Sequence, residues 1–350
     1  MRERLAIIGS GNWGSTIAMI AGERVLEWSQ VPERHMEREV RMWVFEETVD
    51  GQKLTDLINT RHENVKYLPG IPLPHNVTAC PDLVETVKDA TLLVFVLPHQ
   101  FVKKVCEQLR GHIAPSARAI SLIKGLDGSQ SGIQLVSHSI RDALQIDVSV
   151  LMGANIANEV AARQFCETTV GYADEANGAL WRELFHTDYF HTHMVQDVAG
   201  VELCGALKNI IAVAAGFVDG LKGGDNTKAA IIRIGLIEMR RFASMYYKGV
   251  NDQTFLESCG VADVITTCFG GRNRRVAEAF VLSDKSFAEL EDEMLNGQKL
   301  QGVLTAAEVC KVLERDNKLD QFPLFHRVHL IAEGNADPKT ITQIKYVRGS

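Results

Sequence analysis

Short apolar runs alternate with amphipathic segments through the first half of the chain. Several runs are apolar on both faces, which is typical of parallel strands buried between two helical layers. Strands are predicted at residues 5–8, 40–45, 76–79, 92–97, 118–123, 148–152 and 168–171. Helices are predicted at residues 14–27, 53–59, 83–87, 100–109, 132–144, 156–164 and 176–184. The alternation predicts an α/β Rossmann-type domain, a mainly parallel sheet with helices on both faces.

The second half has a different pattern. After about residue 195 the strand pattern stops, and only helical segments follow. These are residues 197–217, 227–245, 261–268, 272–280, 287–295, 305–314 and 324–331. We therefore predict two domains, residues 1–193 and 194–350, of which the second is all α-helical; a length of 350 residues suits this number. The charged segment 23–38, which contains Pro32, is predicted to be an insertion after the first helix.

The first strand leads into a glycine-rich turn, GSGNWG at residues 9–14. Gly9 permits the tight turn, Gly11 lets a phosphate approach the backbone, and Gly14 allows the helix to pack closely on the strand. The N–H groups and the dipole at the helix start then favour a pyrophosphate. This order predicts a dinucleotide site. The alternative is a strand-to-helix turn that merely happens to be glycine-rich.

The second strand ends in Glu46. In this fold a carboxylate at that position accepts hydrogen bonds from the ribose 2′-OH and repels a 2′-phosphate, so NAD is predicted rather than NADP. The spacing from the glycine turn is longer than the usual ~20 residues, and the 23–38 segment accounts for it. Arg41, toward the other end of the strand, is badly placed for a 2′-phosphate. The alternative is a solvated strand end.

Charge and cysteine usage narrow the class of protein. A net charge of −7 with no basic block argues against binding to nucleic acid. The sequence shows no signal peptide, and its longest apolar run, residues 210–218, is too short to span a bilayer, so we expect a cytoplasmic protein without a membrane partner. The seven cysteines form no C-x-x-C pair and are expected to be reduced. The histidines at 186, 191 and 193 lack an accompanying ligand pattern, so no metal is expected.

Three cationic positions are candidates for chemistry. Lys208 interrupts an apolar helix, where a desolvated ammonium could exchange a proton with a carbonyl oxygen; a surface lysine with its stem along the helix is the alternative. Lys124 ends a strand, where sheets of this class bind ligands. Arg272, in FGGRNRR at residues 269–275, stands at a helix start and suits a phosphate, unless the segment is an ordinary basic turn.

Ten segments together resemble the NAD-dependent glycerol-3-phosphate dehydrogenases of the eukaryotic cytosolic type. They are GSGNWGS at 9–15, MWVFEE at 42–47, HENVKYLPG at 62–70, PHQF at 98–101, SLIKG at 121–125, LMGANIANEVA at 151–161, CGALKN at 204–209, GDNTKAA at 224–230, ESCGVADVITTCFGGRNR at 257–274 and NGQKLQG at 296–302. The resemblance spans nearly the whole chain, except for segment 23–38 and the C-terminal tail.

The resemblance implies reversible hydride transfer between NADH and dihydroxyacetone phosphate, giving sn-glycerol 3-phosphate and linking glycolysis to glycerolipid metabolism. Lys208 matches the catalytic lysine of the family. Asp263 and Thr267 match residues that line the reacting centre and orient that lysine, and Lys124 matches a substrate-contacting lysine. Lys208, aided by Lys124, would stabilise and protonate the developing alkoxide.

The resemblance also implies binding residues and an assembly. Arg272 and Asn273 match the pair that holds the substrate phosphate, with Asn209 nearby. The implied cofactor contacts are Gly9, Ser10, Gly11, Asn12, Trp13, Gly14, Phe45, Phe101, Ala157, Arg272, Lys299 and Gln301. Family members are implied to be homodimers joined through the helical domain.

Two other functions fit parts of the pattern. A two-domain dehydrogenase acting on a hydroxy acid would also need a cationic anchor such as the GGRNR segment. A non-catalytic NADH-binding regulator would keep the glycine turn and lose the set formed by Lys208, Asp263 and Arg272, which this chain retains.

Overall fold

The computed structural model describes residues 2–129, 132–295 and 297–344, and it divides into two compact units. Unit 1 comprises Met1–Lys124 and Val136–Val198, and unit 2 comprises Gly125–Leu135 and Ala199–Ser350. Asn296, at the start of the segment 296–302, and the tail 345–350 lie outside the described residues. The sequence predicted a single boundary near residue 193, whereas the segment Gly125–Leu135 belongs with unit 2.

Unit 1 is built on an eight-stranded sheet with the order β12-β11-β10-β7-β6-β1-β2-β5. The described strands of the chain are β1 (Glu3–Ile8), β2 (Met36–Trp43), β3 (Thr48–Val49), β4 (Gln52–Lys53), β5 (Val77–Cys80), β6 (Leu92–Phe95), β7 (Arg118–Ser121), β8 (Leu126–Ser129), β9 (Gly132–Leu135), β10 (Asp147–Met152), β11 (Cys166–Gly171) and β12 (Phe190–Val195). All neighbours in the large sheet are parallel except β10 and β11. The predicted mainly parallel sheet is therefore confirmed.

Helices cover both faces of this sheet. They are α1 (Asn12–Ser29), α2 (Leu54–Arg61), α3 (Leu83–Val87), α4 (Val102–Leu109), α5 (Val136–Leu144), α6 (Ala157–Ala161) and α7 (Glu175–Phe185). The central strand β1 shows why the sheet must be covered twice. Leu5 and Ile7 enter one apolar cluster with α1 and α7, while Ala6 and Ile8 enter another with α4 and α5. All four side chains are completely buried.

The register of the strands aligns their carboxyl ends. Ile8 of β1 pairs with Trp43 of β2 and with Phe95 of β6, and Phe95 pairs in turn with Ser121 of β7. The residues that follow these four strands therefore emerge at one edge of the sheet. This is the edge at which open α/β sheets bind their ligands.

The segment predicted as an insertion is mostly regular structure. Helix α1 continues to Ser29, because Val25 and Trp28 are buried in the core of unit 1. A short 3₁₀ turn, Pro32–Arg34, follows, and β2 already begins at Met36. The prediction of an insertion after the first helix was wrong: the added length is extra helix and extra strand. High charge was a misleading signal, since the charged residues lie at less buried positions of regular elements: 23, 24 and 27 on α1, 33 and 34 in the 3₁₀ turn, and 37 and 38 on β2.

Where the structure describes it, unit 2 is helical apart from one hairpin. Its helices are α8 (Val198–Gly220, in unit 2 from Ala199), α9 (Asp225–Tyr246), α10 (Asp263–Gly270), α11 (Arg272–Leu282), α12 (Phe287–Leu295), α13 (Gln301–Arg315) and α14 (Pro323–Ala332). The hairpin pairs β8 with β9, and the Tyr247 hydroxyl donates a hydrogen bond to the Ile133 carbonyl at 2.8 Å. The prediction of helix over residues 132–144 was therefore wrong for its first turn.

Helix α8 is the central core helix of unit 2. It has 23 residues, and by length and composition alone it could cross a membrane, which the sequence analysis did not recognise. Its most apolar 18-residue window is 100% buried, however. Core helices of globular domains share this composition, so the apolar character of α8 is explained by packing inside unit 2.

Candidate active site

The glycine turn joins β1 to α1 at the carboxyl edge of the sheet. Gly9 has a φ of +125°, which residues with a side chain rarely adopt. A Cβ on Gly14 would overlap the Gly9 carbonyl oxygen, so only glycine lets α1 start this close to β1. At Gly11 a Cβ would meet nothing within 4 Å. Open space beside Gly11, at the start of an 18-residue helix, fits a pyrophosphate.

The polar side chains of the turn bind to unit 1 itself. Asn12 Nδ2 donates to the Tyr67 carbonyl at 2.6 Å and to Asn158 Oδ1 at 2.8 Å. The Ser10 side chain is buried, and the Trp13 indole packs against the apolar core. These side chains hold the turn in place, so the groups that the turn offers to a ligand are those of its backbone.

The other candidate cofactor residues of unit 1 follow the carboxyl ends of neighbouring strands. Phe45, after β2, is 71% exposed, and Phe101, after β6, is 50% exposed. Ala157 begins α6, after β10. Lys124 follows β7, and its Nζ donates to the Gly153 carbonyl at 3.2 Å. Exposed aromatic rings at the ligand edge of a sheet are available to cover a base or a nicotinamide.

Glu46 already has hydrogen-bond partners. Its carboxylate accepts the Thr55 N–H at 3.2 Å and the Thr55 hydroxyl at 2.6 Å, at the first turn of α2. Burial alone would raise the pKa of Glu46, but the bonds from Thr55 hold it below its ordinary value. The adjacent Glu47 binds Lys66 at 2.6 Å and the Tyr67 hydroxyl at 2.7 Å. Glu46 is thus half-buried and bonded to α2, and its ribose contact stays a prediction beside the alternative of a solvated strand end.

In unit 2, Lys208 lies in the buried middle of α8. Its Nζ donates to Asp263 Oδ1 and, at 2.8 Å, to Thr267 Oγ1, both on α10. The three residues are 5%, 2% and 8% exposed. The alternative of a surface lysine is thus wrong. An ammonium removed from water and held by a carboxylate and a hydroxyl is a fixed positive charge that carries a transferable proton.

The GGRNR segment forms the start of α11, beside α8. Asn273 Nδ2 donates to Asn209 Oδ1 at 3.0 Å, and Asn273 Oδ1 accepts the Gly302 N–H at 2.8 Å. Arg272, the first residue of α11, is exposed, and its Nη1 donates to Gln298 Oε1 at 3.0 Å. The structure thus brings Asn209 and Asn273 into contact and leaves the Arg272 guanidinium exposed at a helix start.

Lys299 and Gln301 stand at the start of α13. Lys299 Nζ donates to Glu291 Oε2 at 2.8 Å, and this hydrogen bond raises the pKa of Lys299. Glu291 is buried, and its carboxylate also accepts the Leu300 N–H at 2.8 Å. Gln301 is the first residue of the helix. Glu291 therefore fixes the loop that presents both candidate residues.

One charged network was missed by the sequence analysis. Lys228 Nζ donates to both carboxylate oxygens of Asp219, at 2.8 and 3.0 Å, and Arg274 Nη1 donates to the same carboxylate at 3.0 Å. The Lys228 ammonium also lies 4.4 Å from the centre of the Phe269 ring. The network joins α8, α9 and α11. Its members are far apart in sequence and follow no periodic pattern, so no sequence signal pointed to it.

All seven cysteines are free thiols. Burial raises the pKa of Cys106, Cys268 and Cys310 to about 12 and that of Cys166 to about 11, so these four thiols are protonated at neutral pH. Over the described ranges, no group of three or more His, Cys, Asp or Glu side chains is placed to hold a metal ion.

Two protein-family models match the chain, and they divide it between them. The model for the N-terminus of NAD-dependent glycerol-3-phosphate dehydrogenase matches residues 4–178, and the model for the C-terminus matches residues 197–343. This chain belongs to the NAD-dependent glycerol-3-phosphate dehydrogenase family. The resemblance drawn from the ten sequence segments is confirmed, and so are the fold class and the prediction of an oxidoreductase that uses NAD.

Relatives of this dehydrogenase family match the chain over most of its length. The glycerol-3-phosphate dehydrogenase 1-like protein of Homo sapiens is 57% identical over 329 residues, which are 94% of this chain and 92% of that protein. The cytoplasmic glycerol-3-phosphate dehydrogenase [NAD(+)] of Homo sapiens is 56% identical over 330 residues, 94% of this chain and 93% of that protein. The solved glycerol-3-phosphate dehydrogenase of Saccharomyces cerevisiae is 45% identical with a TM-score of 0.91, covering 98% of this chain and 99% of that one.

Proposed function

We propose that this chain catalyses the reversible reduction of dihydroxyacetone phosphate by NADH to sn-glycerol 3-phosphate. The observation that carries the proposal is the buried Lys208 ammonium, bound to Asp263 and Thr267. Reduction of a ketone creates negative charge on the carbonyl oxygen. A positioned ammonium stabilises that charge and supplies the proton that the oxygen needs.

Lys208 acts as the general acid in reduction and as the general base in the reverse direction. Bound NADH supplies the hydride. Asp263 and Thr267 lie one turn apart on the same helix, α10. Both accept hydrogen bonds from the ammonium and so fix its direction. The family resemblance supports Lys124 as a further substrate-contacting lysine. After proton transfer the amine of Lys208 is neutral, and it regains a proton from solvent before the next turnover.

The substrate phosphate is bound by Arg272 and Asn273, with Asn209 beside them. The support for this role is the exposed guanidinium at the start of α11 and the hydrogen bond between the two asparagines. A guanidinium and helix N–H groups suit a phosphate dianion. The phosphate is remote from the reacting carbonyl, so its binding energy orients the carbonyl before hydride transfer.

The cofactor is bound mainly by unit 1. The turn from Gly9 to Gly14 holds the pyrophosphate, while Phe45 and Phe101 flank the adenine and nicotinamide portions. The support is the open space beside Gly11 and the exposure of both rings at the ligand edge of the sheet. Ala157, Arg272, Lys299 and Gln301 supply further contacts. We accordingly propose unit 1 as the NAD-binding domain, and unit 2, with its segment Gly125–Leu135, as the substrate-binding and catalytic domain.

We also propose a cytoplasmic homodimer, joined through the helical unit, with neither a nucleic-acid nor a membrane partner. A relative at 56% identity is named cytoplasmic. The net charge of −7 disfavours binding to nucleic acid, and the one helix within the described ranges that is apolar enough to cross a membrane is buried in unit 2. Sedimentation of the purified chain tests the dimer.

The reaction is tested by following NADH oxidation with dihydroxyacetone phosphate, beside parallel assays with NADPH and with several 2-keto acids. We expect rapid oxidation of NADH with dihydroxyacetone phosphate, and much slower rates with NADPH or with the keto acids. Faster turnover of a keto acid than of dihydroxyacetone phosphate would overturn the proposed substrate. Equal use of NADPH would overturn the proposed selectivity for NAD.

A further inference from the structure

Asn64, in the loop that follows α2, is completely buried beneath the glycine turn. Its Nδ2 donates to the Ser10 carbonyl at 2.8 Å and to Ser15 Oγ at 2.9 Å, and its Oδ1 accepts the Tyr67 N–H at 3.1 Å. A buried amide side chain is costly unless it is bonded, and this one has its donor and acceptor sides both engaged. Two of the three bonds reach the turn and the first residues of α1.

The bond to the Ser10 carbonyl fixes the direction of the next N–H. A trans peptide is planar, and its C=O and N–H point in opposite directions. Because the Ser10 carbonyl points toward Asn64, the Gly11 N–H points away from Asn64 and from the interior behind it. Gly11 is the residue of the turn beside open space. Asn64 thus orients the peptide group that a pyrophosphate would meet.

The same loop holds the turn at a second point. The Tyr67 carbonyl accepts a hydrogen bond from Asn12 Nδ2 at 2.6 Å, and the Tyr67 hydroxyl donates to Glu47 at 2.7 Å. The segment 64–67 therefore links the glycine turn to the residues that follow β2.

We propose that Asn64 is a positioning residue for the cofactor, which by binding the Ser10 carbonyl keeps the Gly11 N–H directed at the pyrophosphate. This inference rests on the proposed binding of NADH at the glycine turn. Asn64 touches neither the cofactor nor the substrate in this account. Its effect is therefore on the affinity for NADH and not on the chemical step.

Asn64→Asp tests the proposal, because it keeps the size of the side chain and replaces the donor with a carboxylate facing the Ser10 carbonyl. Asn76→Asp is the matched control. Asn76 is also buried and donates to two backbone carbonyls, of Gly22 at 3.1 Å and Arg38 at 2.9 Å, so it links the middle of the same helix to β2. NADH titrations followed by fluorescence give Kd, and urea unfolding gives the stability of each variant.

We expect Asn64→Asp to raise the Kd for NADH about tenfold or more, while kcat at saturating NADH stays close to that of the wild type. Asn76→Asp should lose stability without a change in Kd. A further signature separates positioning from general damage. Protonation of the introduced carboxyl restores a donor, so the affinity of Asn64→Asp should recover as the pH falls from about 8 to about 5, relative to the wild type.

An equal rise in Kd for Asn76→Asp would overturn the inference, and so would an unchanged Kd in Asn64→Asp. If Asn64→Asp does not fold, Asn64→Ala removes the donor without adding charge. It should then show the raised Kd without the recovery at low pH, and an unchanged Kd would again overturn the inference. A wild-type chain that fails to bind NADH would instead overturn the proposed function.

Discussion

The Lys208 ammonium and the Thr267 hydroxyl lie 2.8 Å apart, and the Asp263 carboxylate accepts from the same ammonium. Helix α8 supplies the lysine, and α10 supplies both of its partners. Asp263 and Thr267 are four residues apart, so they occupy the same face of α10. One helix therefore fixes two of the three members, and their geometry with Lys208 depends on how α8 and α10 pack inside unit 2.

Loss of the carboxylate should destabilise unit 2 strongly. In Asp263→Ala the buried ammonium has lost its charged partner, so the free energy of unfolding should fall by about 3–5 kcal/mol. Asp252→Ala is the control, since Asp252 forms an exposed ion pair with Arg240 at 3.0 Å. That change should cost about 0–1 kcal/mol. Urea unfolding measures both changes. If Asp263→Ala lost as little unfolding free energy as the control, the result would contradict a buried ion pair between Lys208 and Asp263.

The open space beside Gly11 predicts a separation of binding from stability. Gly11→Ala places a methyl group where no atom from elsewhere in the chain lies within 4 Å, so the melting temperature should change little. The affinity for NADH should fall at least about tenfold, because the methyl group occupies space that the pyrophosphate needs. Gly14→Ala should instead lower the melting temperature, since its Cβ overlaps the Gly9 carbonyl. Unaltered NADH binding by Gly11→Ala would place the pyrophosphate elsewhere.

Arg272 should matter for substrates that carry a phosphate. Arg272→Ala removes a charge-assisted contact of about 1.5–3 kcal/mol, which corresponds to roughly a tenfold to hundredfold loss in kcat/KM for dihydroxyacetone phosphate. Arg272 is also a proposed cofactor contact, so both substrates are compared at saturating NADH, where the weak activity with unphosphorylated dihydroxyacetone should fall much less. Arg275→Ala changes another exposed arginine in the first turn of the same helix and serves as the control. A proportional loss for both substrates would remove the phosphate role from Arg272.

Glu238 predicts a specific dependence of stability on pH. This buried carboxylate accepts the Leu324 and Phe325 N–H groups at 2.8 and 2.9 Å, and burial raises its pKa to about 7. Between the ordinary value of 4.5 and about 7, the folded chain keeps a proton that the unfolded chain has released. Stability from this group is therefore greatest at low pH and is lost as the pH rises.

Glu238→Gln removes this titration. The unfolding free energy of the wild type minus that of Glu238→Gln should fall by roughly 2–3 kcal/mol from about pH 5 to about pH 8. Other titrating groups cancel in that difference. Urea unfolding at both pH values measures it, and a difference that stays constant or grows with pH would show that Glu238 is not a proton-holding group in the folded chain.

The glycine turn and Lys208 could be predicted from the sequence, because each has a local signal. The turn lies between a strand pattern and a helix pattern, and Lys208 is a charged residue within an apolar helix. Segment 23–38 was wrongly predicted to be an insertion, because its many charged residues outweighed the two apolar residues that are buried, Val25 and Trp28. Asn64 went unnoticed because its bonds reach residues 54 and 49 positions away. Partners at such distances are set by tertiary packing, which no local pattern reports.

The central claim is that Lys208 is the proton donor, and Lys208→Ala tests it most directly. The control is Lys228→Ala, which also removes a buried lysine paired with an aspartate. We predict that Lys208→Ala lowers turnover of dihydroxyacetone phosphate by at least about a thousandfold while NADH binds with nearly unchanged Kd, and that Lys228→Ala keeps most of its turnover. Turnover like that of the wild type in Lys208→Ala would contradict the account.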